Sequence, residues 1–338
     1  MSLKNPARHL SCGVFSCGGF YGLLLFCMLA PASQGQPAEP FSTRDQNPLV
    51  SIYGLPLPVN ARLLPAGEST WISSFNLSNT LNVASSNNIQ LSVDAESTQL
   101  NLVYAYGFSQ NWALRLQGSV IGHRAGFLDS RIDNYHQLLG LKEGMRPYVE
   151  TNQFQIYVRD GGNTLIDLQT PQTGLSDMQI QLGTQLFSQA DRATSLWASL
   201  KLPTGDSAKL TGSGATDVAL WLATQTQLNP DTWLYADFGG LYMRDTDVLK
   251  PLHKQTAWFA NLGISYTYNE LLQFKTQIDT HTALYNTPLN FLGTAIQLTF
   301  GGSIILDKEN RFDIAVSEDI KTESSPDVTF SISWFTRI

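Results

Sequence analysis

The sequence is poor in cysteine, and no cysteine lies beyond residue 27. The apolar run Leu23–Ala30 follows the basic residues Lys4 and Arg8 and precedes small residues, so we expect residues 1–32 to be a cleaved secretory signal peptide. The alternative, an uncleaved membrane anchor, would need about 20 apolar residues. All three cysteines belong to this segment: Cys12, Cys17 and Cys27. The mature chain would then have no disulfide, thiolate nucleophile or cysteine-bound zinc.

Charge is also scarce in this sequence. Asp, Glu, Lys and Arg make up 14% of the residues, against about 25% in ordinary soluble domains. The formal net charge is −7, and loss of Lys4 and Arg8 with the signal would make it more negative. An acidic surface argues against nucleic acid as a partner. The polar residues are largely Ser, Thr, Gln and Asn, which suit a wall with one apolar and one hydrated face.

Long hydrophobic runs are absent beyond the signal, where no window approaches the roughly 18 consecutive apolar residues of a spanning helix. A segment that crosses a membrane would therefore have to be a strand. From Ser69 onward apolar residues recur at every second position, as in Leu100–Tyr106, Leu262–Tyr268 and Phe330–Trp334. This alternation is typical of a strand with one apolar and one polar face.

The alternation predicts twelve strands, many of them long enough for a tilted crossing of a bilayer. Their predicted ranges are 69–80, 89–108, 112–123, 174–187, 194–202, 217–228, 232–244, 255–268, 271–281, 291–306, 311–319 and 328–338. The connections alternate between short ones, such as Asn229–Asp231, and long ones, such as Arg124–Thr173. A barrel with both ends of its wall in the periplasm has short periplasmic turns and longer outer loops.

We therefore predict an all-β fold, a single-chain antiparallel transmembrane β-barrel of about twelve strands with one long outer loop. Residues 33–68 would be a periplasmic N-terminal segment or a small plug, and residues 69–338 the barrel, with the outer loop at 124–173. The alternative is a soluble β-sandwich with core aromatic residues. In a barrel, aromatic residues near strand ends would form interfacial girdles; they are Trp71, Tyr104, Tyr106, Trp233, Tyr242, Trp258, Tyr266, Tyr268 and Trp334.

The long outer loop has two local patterns of its own. Phe127–Leu141 has the pattern of a short helix, and Phe154–Arg159 and Thr164–Leu168 have that of a hairpin about Asp160–Asn163. Loops of this length are uncommon unless they bind, plug or cover a site.

The same alternation predicts which side chains face the lumen. A charged residue on the lipid face would cost about 2–4 kcal/mol at the bilayer midplane, so we place charged and amide residues of the strands inward. The lumen-lining candidates are Arg115, Gln117, Gln181, Lys201, Asp237, Lys275, Asp279 and Asp313. One interpretation is a polar, weakly selective passage. The other is a narrow barrel closed by pairing among these groups, and a twelve-stranded barrel is compatible with both.

Motifs for catalysis, cofactors and metals are missing. The sequence has no Gly-x-Ser-x-Gly elbow, no His-Glu-x-x-His motif and no phosphate-binding loop. We therefore predict a non-enzyme with no catalytic residue, cofactor or metal site. The histidines beyond the signal lie in or beside predicted outer loops: His123, His136, His253 and His281. The outer-loop candidates for binding are Tyr135, His136, Asp206 and Asp217.

Several short segments resemble an uncharacterised family of bacterial outer-membrane proteins, known as a domain of unknown function. The resemblance covers nearly the whole mature chain, and the segments that carry it are Thr43–Leu49, Ile52–Pro56, Ala61–Leu64, Gly126–Asp129, Tyr135–His136, Gly174–Asp177 and Lys201–Asp217. This resemblance implies an outer-membrane barrel and assigns no activity or catalytic residue. Two of the stretches, Gly174–Asp177 and Leu202–Asp217, are also similar to barrels linked to the uptake of aromatic compounds.

These observations predict a passive channel or uptake barrel for small solutes in the outer membrane of a Gram-negative bacterium. The alternatives are a structural or adhesive surface barrel without transport, and a barrel lipid hydrolase that would use the outer-loop histidines. The expected partners are outer-membrane lipids and a small-molecule solute. Barrel-assembly machinery would act during insertion, because the last strand has Phe330, Trp334 and Ile338 in phase at its end.

Overall fold

The computed structural model describes residues 39–86, 88–128, 152–321 and 323–338. These residues form one 15-stranded sheet. In chain order the strands are β1 (Ser69–Ser86), β2 (Ile89–Ser109), β3 (Trp112–Arg124), β4 (Gln155–Asp160), β5 (Asn163–Leu168), β6 (Gln172–Leu175), β7 (Met178–Gln189), β8 (Arg192–Leu202), β9 (Asp217–Asn229), β10 (Thr232–Met243), β11 (Thr256–Thr267), β12 (Leu272–His281), β13 (Ala295–Ile305), β14 (Asn310–Asp319) and β15 (Val328–Arg337). Short 3-10 turns at Ser207–Lys209, Lys250–Leu252 and Asn290–Leu292 lie in the connections. Within these ranges no helix is long and apolar enough to cross a membrane.

Twelve of the strands close into an antiparallel barrel. Neighbours follow the order β1, β2, β3, β7 and onward to β15. The circle closes where β15 pairs with β1, from Thr70↔Arg337 to Asn79↔Val328. A closed wall has no unpaired strand edge at the level of the barrel. The predicted fold class, a single-chain antiparallel transmembrane barrel of about twelve strands, is confirmed.

The outer face of the wall is apolar, as the alternation predicts. Leu100, Met178 and Phe274 point outward and are 43%, 48% and 55% exposed. Several aromatic residues of the predicted girdle are also exposed on the outside: Trp71, Tyr106, Tyr242, Trp258, Tyr266 and Trp334. Trp233 differs from the prediction. It is 2% exposed and packs inside the barrel beside Tyr235, because the odd positions of β10 face the lumen.

Strand boundaries differ from the predicted ones by more than two residues at three places. β1 continues to Ser86, because residues 81–86 pair with residues 89–94 of β2 in place of the predicted loop. The predicted strand 174–187 is interrupted at Ser176 and Asp177, which separates β6 from β7. The predicted strand 291–306 begins only at Ala295, after a 3-10 turn. The predicted helix at 127–141 falls mainly on residues 129–141, outside the described residues.

The predicted hairpin of the long outer loop is present as β4 and β5. It turns at Gly161 and Gly162, and Gly161 adopts a positive φ of 56°. Since β4 pairs with residues 89–94 of β2, the strands β1, β2, β4 and β5 form a sheet that extends beyond the barrel. Apolar residues on this sheet are buried in the same cluster as residues of the neighbouring connections: Leu91, Val93, Ile156 and Val158. The extension therefore packs over one mouth of the barrel.

The two ends of the barrel differ in their connections. Tight turns join β2 to β3, β7 to β8, β9 to β10, β11 to β12 and β13 to β14 at one end. The first and last residues of the wall meet at the same end, where Arg337 Nε lies 3.1 Å from Glu68. Longer connections and the β4–β5 sheet lie at the other end. We name these the short-turn end and the long-loop end, and they correspond to the periplasmic and external ends expected of such barrels.

Candidate functional site

A stretch of chain before β1 lies inside the barrel. Residues 39–67, here called the luminal segment, begin near the short-turn end and rise along β12. The bonded pairs on this rising part are Glu39–Lys275, Phe41–Gln277 and Asp45–His281, at 3.0, 3.2 and 2.9 Å. These contacts follow β12 from its middle to its last residue, so the segment crosses the lumen lengthwise.

The luminal segment turns at the long-loop end and descends along other strands. The bonded pairs on the descending part are Ile52–Lys201, Gly54–Asp217, Val59–Asp237 and Leu63–Gln185, at 3.2, 2.8, 3.3 and 2.9 Å. The segment leaves the lumen at the short-turn end, where the Arg62 guanidinium donates a hydrogen bond to the Gln189 carbonyl in the tight turn between β7 and β8. The segment is therefore a hairpin-shaped insert whose tip, residues 47–53, faces the long-loop end.

A hydrogen bond and a stacked ring pair hold the tip. Tyr285, in the connection between β12 and β13, donates its hydroxyl to the Leu49 carbonyl at 2.6 Å. The Tyr53 ring stacks on His253, with 5.6 Å between ring centroids. Burial raises the pKa of the Tyr53 hydroxyl well above its ordinary value, and the pKa of Tyr285 likewise. Tyr53 and Tyr285 are both buried, so the tip is closely covered where it meets the connections of the long-loop end.

A buried lysine joins the tip to the wall. Lys201, at the long-loop end of β8, is 1% exposed. Its Nζ lies 2.5 Å from Asp177 and 3.1 Å from Asp217, and it donates to the Ser213 hydroxyl and to the carbonyl of Ile52. Two carboxylates therefore share one ammonium, in a geometry that satisfies all three of its donors. This Lys201 cluster connects β7, β8, β9 and the luminal segment.

A second cationic group lies deeper in the lumen. The guanidinium carbon of Arg44 is 4.9 Å from the centroid of the Phe259 ring, and its Nη2 is 3.9 Å from Asp279. None of its three nitrogens makes a hydrogen bond with a described residue. Burial lowers the pKa of Arg44, while the carboxylates of Asp279 and Asp237 oppose that shift. Arg44 is thus held by charge and ring contact without directional bonds.

Aromatic rings form a row on the wall behind the descending part. Trp197 and Trp221 are register partners on β8 and β9, and their rings stack at 6.0 Å. Phe259 of β11 meets Trp221 edge-on at 6.3 Å. β10 lies between β9 and β11 and has Gly239 at this level. A Cβ at Gly239 would lie 2.8 Å from the Phe259 ring. Because no side chain intervenes on β10, the large rings can meet across it.

The luminal contacts described above all go to one side of the wall. They involve β7 to β12 and the connections that these strands begin or end, and we name this side the anchoring half. Its inward residues include five of the eight predicted lumen residues: Gln181, Lys201, Asp237, Lys275 and Asp279. The anchoring half therefore combines most of the inward charge with the aromatic row.

The opposite side of the lumen has a different chemistry. On β15, β1 and β2, three successive rows of register partners have only uncharged hydroxyl and amide side chains facing inward. The rows are Thr329–Ser78–Ser97, Ser331–Asn76–Gln99 and Ser333–Ser74–Asn101. We name these residues the uncharged sector.

A cavity of about 40 Å³ lies between the luminal segment and the part of the wall that runs from β2 to the Lys201 cluster. Gln99 and Asn101 of the uncharged sector line it, together with Gln117 of β3. Arg44 of the segment and Lys201 of the anchoring half line it as well. This volume has room for a few water molecules. The free space in the lumen therefore borders amides on one side and the Lys201 cluster on the other.

The structure places the eight predicted lumen residues on inward positions of the barrel strands, and all are buried. Lys275 pairs with Asp313 at 2.7 Å. The outer-loop candidates differ. Asp206 is half exposed and caps Ala208 in the β8–β9 connection. Asp217 requires a correction, because it begins β9 and points inward to the Lys201 cluster. Tyr135 and His136 lie outside the described residues.

Sequence reasoning did not identify several residues of the site. Asp177, Arg44 and Asp45 lie in irregular stretches, where alternation gives no direction for a side chain. Trp197 and Trp221 are at odd positions of strands whose even positions are apolar, so the same alternation that selected Lys201 could have placed them in the lumen.

No group of three or more His, Cys, Asp or Glu in the described ranges is placed to hold a metal ion. His123 Nδ1 lies 2.7 Å from the Ser97 hydroxyl, but its Nε2 faces the Leu210 carbonyl at 3.1 Å. The acid of a serine–histidine triad would occupy the place of that carbonyl.

The closed antiparallel wall, the apolar outer face and the polar lumen define a β-barrel of the outer-membrane type. The chain belongs to the family described as "Protein of unknown function (DUF3187)", whose model matches residues 22–338. The resemblance to an uncharacterised outer-membrane family is thereby confirmed. No curated protein matches the sequence.

Solved structures of outer-membrane channels and porins are similar to this chain. The COG4313 outer membrane channel from Pseudomonas putida F1 has a TM-score of 0.55 and 12% identity, over 83% of this chain and 99% of that chain. The CymD monoaromatic hydrocarbon channel has a TM-score of 0.42 and 13% identity, over 91% and 97%. The NanC porin has a TM-score of 0.44 and 7% identity, over 80% and 100%. At these identities the similarity concerns the fold, and only the first of the three has a TM-score above 0.5.

Proposed function

We propose that this chain is an outer-membrane channel for small solutes in which the luminal segment controls passage. The observation that carries the proposal is the one-sided attachment of that segment, beside which a polar cavity extends from the Lys201 cluster to β2. The fold shared with the COG4313 outer membrane channel supports it. In this proposal the apolar outer face contacts membrane lipids, and barrel-assembly machinery inserts the wall.

The chemistry of the lumen also supports a segment that moves. A buried polar group without a hydrogen bond costs about 1–3 kcal/mol. Arg44, Trp221 and Gln225 all have such groups in the lumen, with no hydrogen-bond partner among the described residues. A permanently filled barrel would be more stable with apolar side chains at these places. We infer that these groups become hydrated when the luminal segment is displaced.

Conductance of the purified full chain in planar lipid bilayers tests the proposal. Asp217 accepts a hydrogen bond from the Gly54 backbone at 2.8 Å and pairs with Lys201. If a substitution destabilises the closed state by about 1.4 kcal/mol relative to the open state, the fraction of open barrels rises about tenfold. We therefore expect Asp217→Ala to raise the mean conductance by about that factor.

Asp206→Ala is the matched control, because Asp206 is half exposed and its carboxylate contacts Lys209 and the Ala208 backbone of its own connection, not the luminal segment. It should behave like the unchanged chain. If all three proteins are folded barrels by circular dichroism and none conducts or takes up solute, the channel proposal is wrong.

A surface-binding role is the second candidate, and the β4–β5 extension favours it. This sheet projects at the long-loop end, and β5 has one unpaired edge in the described structure. Exposed edges can pair with strands of other molecules. Deletion of residues 155–168 should then abolish binding to a surface or partner while the barrel stays folded. Unchanged binding would exclude this role for the hairpin.

A further inference from the structure

We propose that the solutes admitted by this barrel are small uncharged polyhydroxy compounds, which pass along the uncharged sector. This inference rests on the proposed channel function and adds a substrate class to it. The route would run between the luminal segment and the inward faces of β15, β1 and β2. The cavity borders this sector at its β2 side, where Gln99 and Asn101 line it.

The composition of the sector is the first argument. Its three rows contain serine, threonine, asparagine and glutamine side chains and no charged or aromatic group. Each hydroxyl can donate and accept, and each amide supplies two donors and one accepting oxygen. A sugar alcohol has the same mixture of donors and acceptors along its length. The rows therefore offer such a molecule successive hydrogen bonds over the middle and outer parts of the lumen.

The unused bonding capacity of the sector is the second argument. The Ser74 hydroxyl, the Asn76 amide nitrogen, the Asn101 amide oxygen and the Thr329 hydroxyl are buried and have no hydrogen-bond partner among the described residues. Both donors and acceptors are thus available on neighbouring strands. The side-chain to side-chain contacts inside the sector are few: the Ser331 hydroxyl donates to Asn76 at 2.7 Å, and Asn101 donates to Gln99 at 3.4 Å. The groups without partners can bond to a solute without first breaking a bond within the wall.

The same features disfavour ions and hydrocarbons on this route. An ion in a narrow lumen needs compensating charge, and the sector contains none. Charged residues do line the cavity, but Lys201 is engaged with Asp177 and Asp217, and Arg44 lies 3.9 Å from Asp279. A hydrocarbon would leave the hydroxyls and amides unpaired and dry. The aromatic row is covered by the descending part of the luminal segment and is not on the cavity side.

Liposome swelling with the full chain tests the substrate class. Proteoliposomes would be placed in isotonic glycerol, erythritol, sodium chloride or benzyl alcohol, and the rates compared with those of protein-free liposomes. We expect protein-dependent entry of glycerol and erythritol to exceed that of sodium chloride and benzyl alcohol about tenfold. Faster entry of salt or of benzyl alcohol would overturn the inference while leaving the channel proposal in place. No protein-dependent entry of any of the four would instead contradict the channel proposal itself.

Two matched serine variants locate the route. Ser74 in the uncharged sector and Ser265 of the anchoring half are both buried, and the hydroxyl of each has no hydrogen-bond partner among the described residues. Ser74→Val should lower the entry rate of erythritol about fivefold, which is the effect of losing one hydrogen bond. Ser265→Val should leave that rate unchanged. Equal effects of the two variants, with both barrels folded, would refute the proposed path.

Discussion

The anchoring half and the uncharged sector are built from the same kind of strand but differ in what faces inward. The anchoring half presents lysine, aspartate and large aromatic rings, and its side chains bind the luminal segment by short contacts, such as 2.8 Å from Asp217 to Gly54. The uncharged sector presents small polar groups, several of them without partners in the described structure. The comparison teaches that one side of the lumen binds the segment closely, while the other keeps polar groups without partners beside the cavity.

The largest expected effect concerns the buried ion pairs of the anchoring half. Lys201→Met would leave the carboxylates of Asp177 and Asp217 buried together without their ammonium. Removing one partner of a buried pair costs about 3–5 kcal/mol. We expect a loss of that size in the free energy of unfolding, measured by urea titration in lipid vesicles with tryptophan fluorescence.

The control for that variant is an ion pair on the surface. Arg192 and Asp191 are 4.0 Å apart, with side chains more than half exposed. Arg192→Met should lower the free energy of unfolding by about 0–1 kcal/mol. Equal losses for Lys201→Met and Arg192→Met would show that the Lys201 cluster stabilises the protein no more than an exposed ion pair does.

The next effect concerns two glycines of the wall. A Cβ at Gly239 would lie 2.5 Å from the Leu220 carbonyl and 2.8 Å from the Phe259 ring, whereas one at Gly118 of β3 would meet nothing within 4 Å. Overpacking costs about 1–3 kcal/mol, so Gly239→Ala should be destabilising by that amount. Gly118→Ala should be neutral or slightly stabilising, because alanine restricts the unfolded chain. The urea titration would contradict the proposed tight packing if Gly239→Ala were as stable as Gly118→Ala.

A smaller effect concerns the contact that holds the tip. Tyr285→Phe removes the hydroxyl that donates to the Leu49 carbonyl at 2.6 Å. One hydrogen bond contributes about 1 kcal/mol, and we expect that loss together with a modest rise in conductance. Tyr242→Phe is the control, because Tyr242 is exposed on the outer face. A rise in conductance for both variants, or for neither, would count against a role of this bond in closing the mouth.

The smallest effect belongs to the uncharged sector. The Ser74 hydroxyl has no hydrogen-bond partner among the described residues, so Ser74→Ala should change the free energy of unfolding by no more than about 0.5 kcal/mol. Ser213→Ala, in the β8–β9 connection, should cost about 1 kcal/mol, because the Ser213 hydroxyl contacts Lys201 and the backbone of Ala215. A larger loss in the free energy of unfolding for Ser74→Ala than for Ser213→Ala would contradict the view that hydroxyls of the uncharged sector have fewer partners than those near the Lys201 cluster.

The barrel could be predicted from sequence because its physical cause is local. A strand that separates lipid from a polar lumen must alternate, so residues such as Phe274 and Lys275 are assigned to opposite faces by position alone. The same reasoning gave the inward direction of Asp279 and Asp313. The assignment of Trp233 to the girdle was wrong. That assignment rested on its position near a strand end, whereas the odd positions of β10 face inward.

The path of the luminal segment could not be predicted from periodicity. Its contacts join residues far apart in the chain, as Gly54 and Asp217 are separated by 163 positions. The segment has neither strand nor helix alternation that would direct its side chains. Asp217 was likewise assigned to an outer loop. The glycine-rich stretch before it predicts a turn, but it does not show to which face of the wall the first side chain of β9 points.

A reversible crosslink between the luminal segment and the wall tests the central claim most directly. A Cβ at Gly54 would lie 3.0 Å from that of Asp217, near the roughly 3.5–4.5 Å of a disulfide. Residues 28–338 contain no cysteine that would compete. In the Gly54→Cys, Asp217→Cys protein we predict low conductance when oxidised and about a tenfold rise on reduction, with no response in either single variant. Equal conductance in both states, with the disulfide verified by mass spectrometry, would contradict control of passage by the luminal segment.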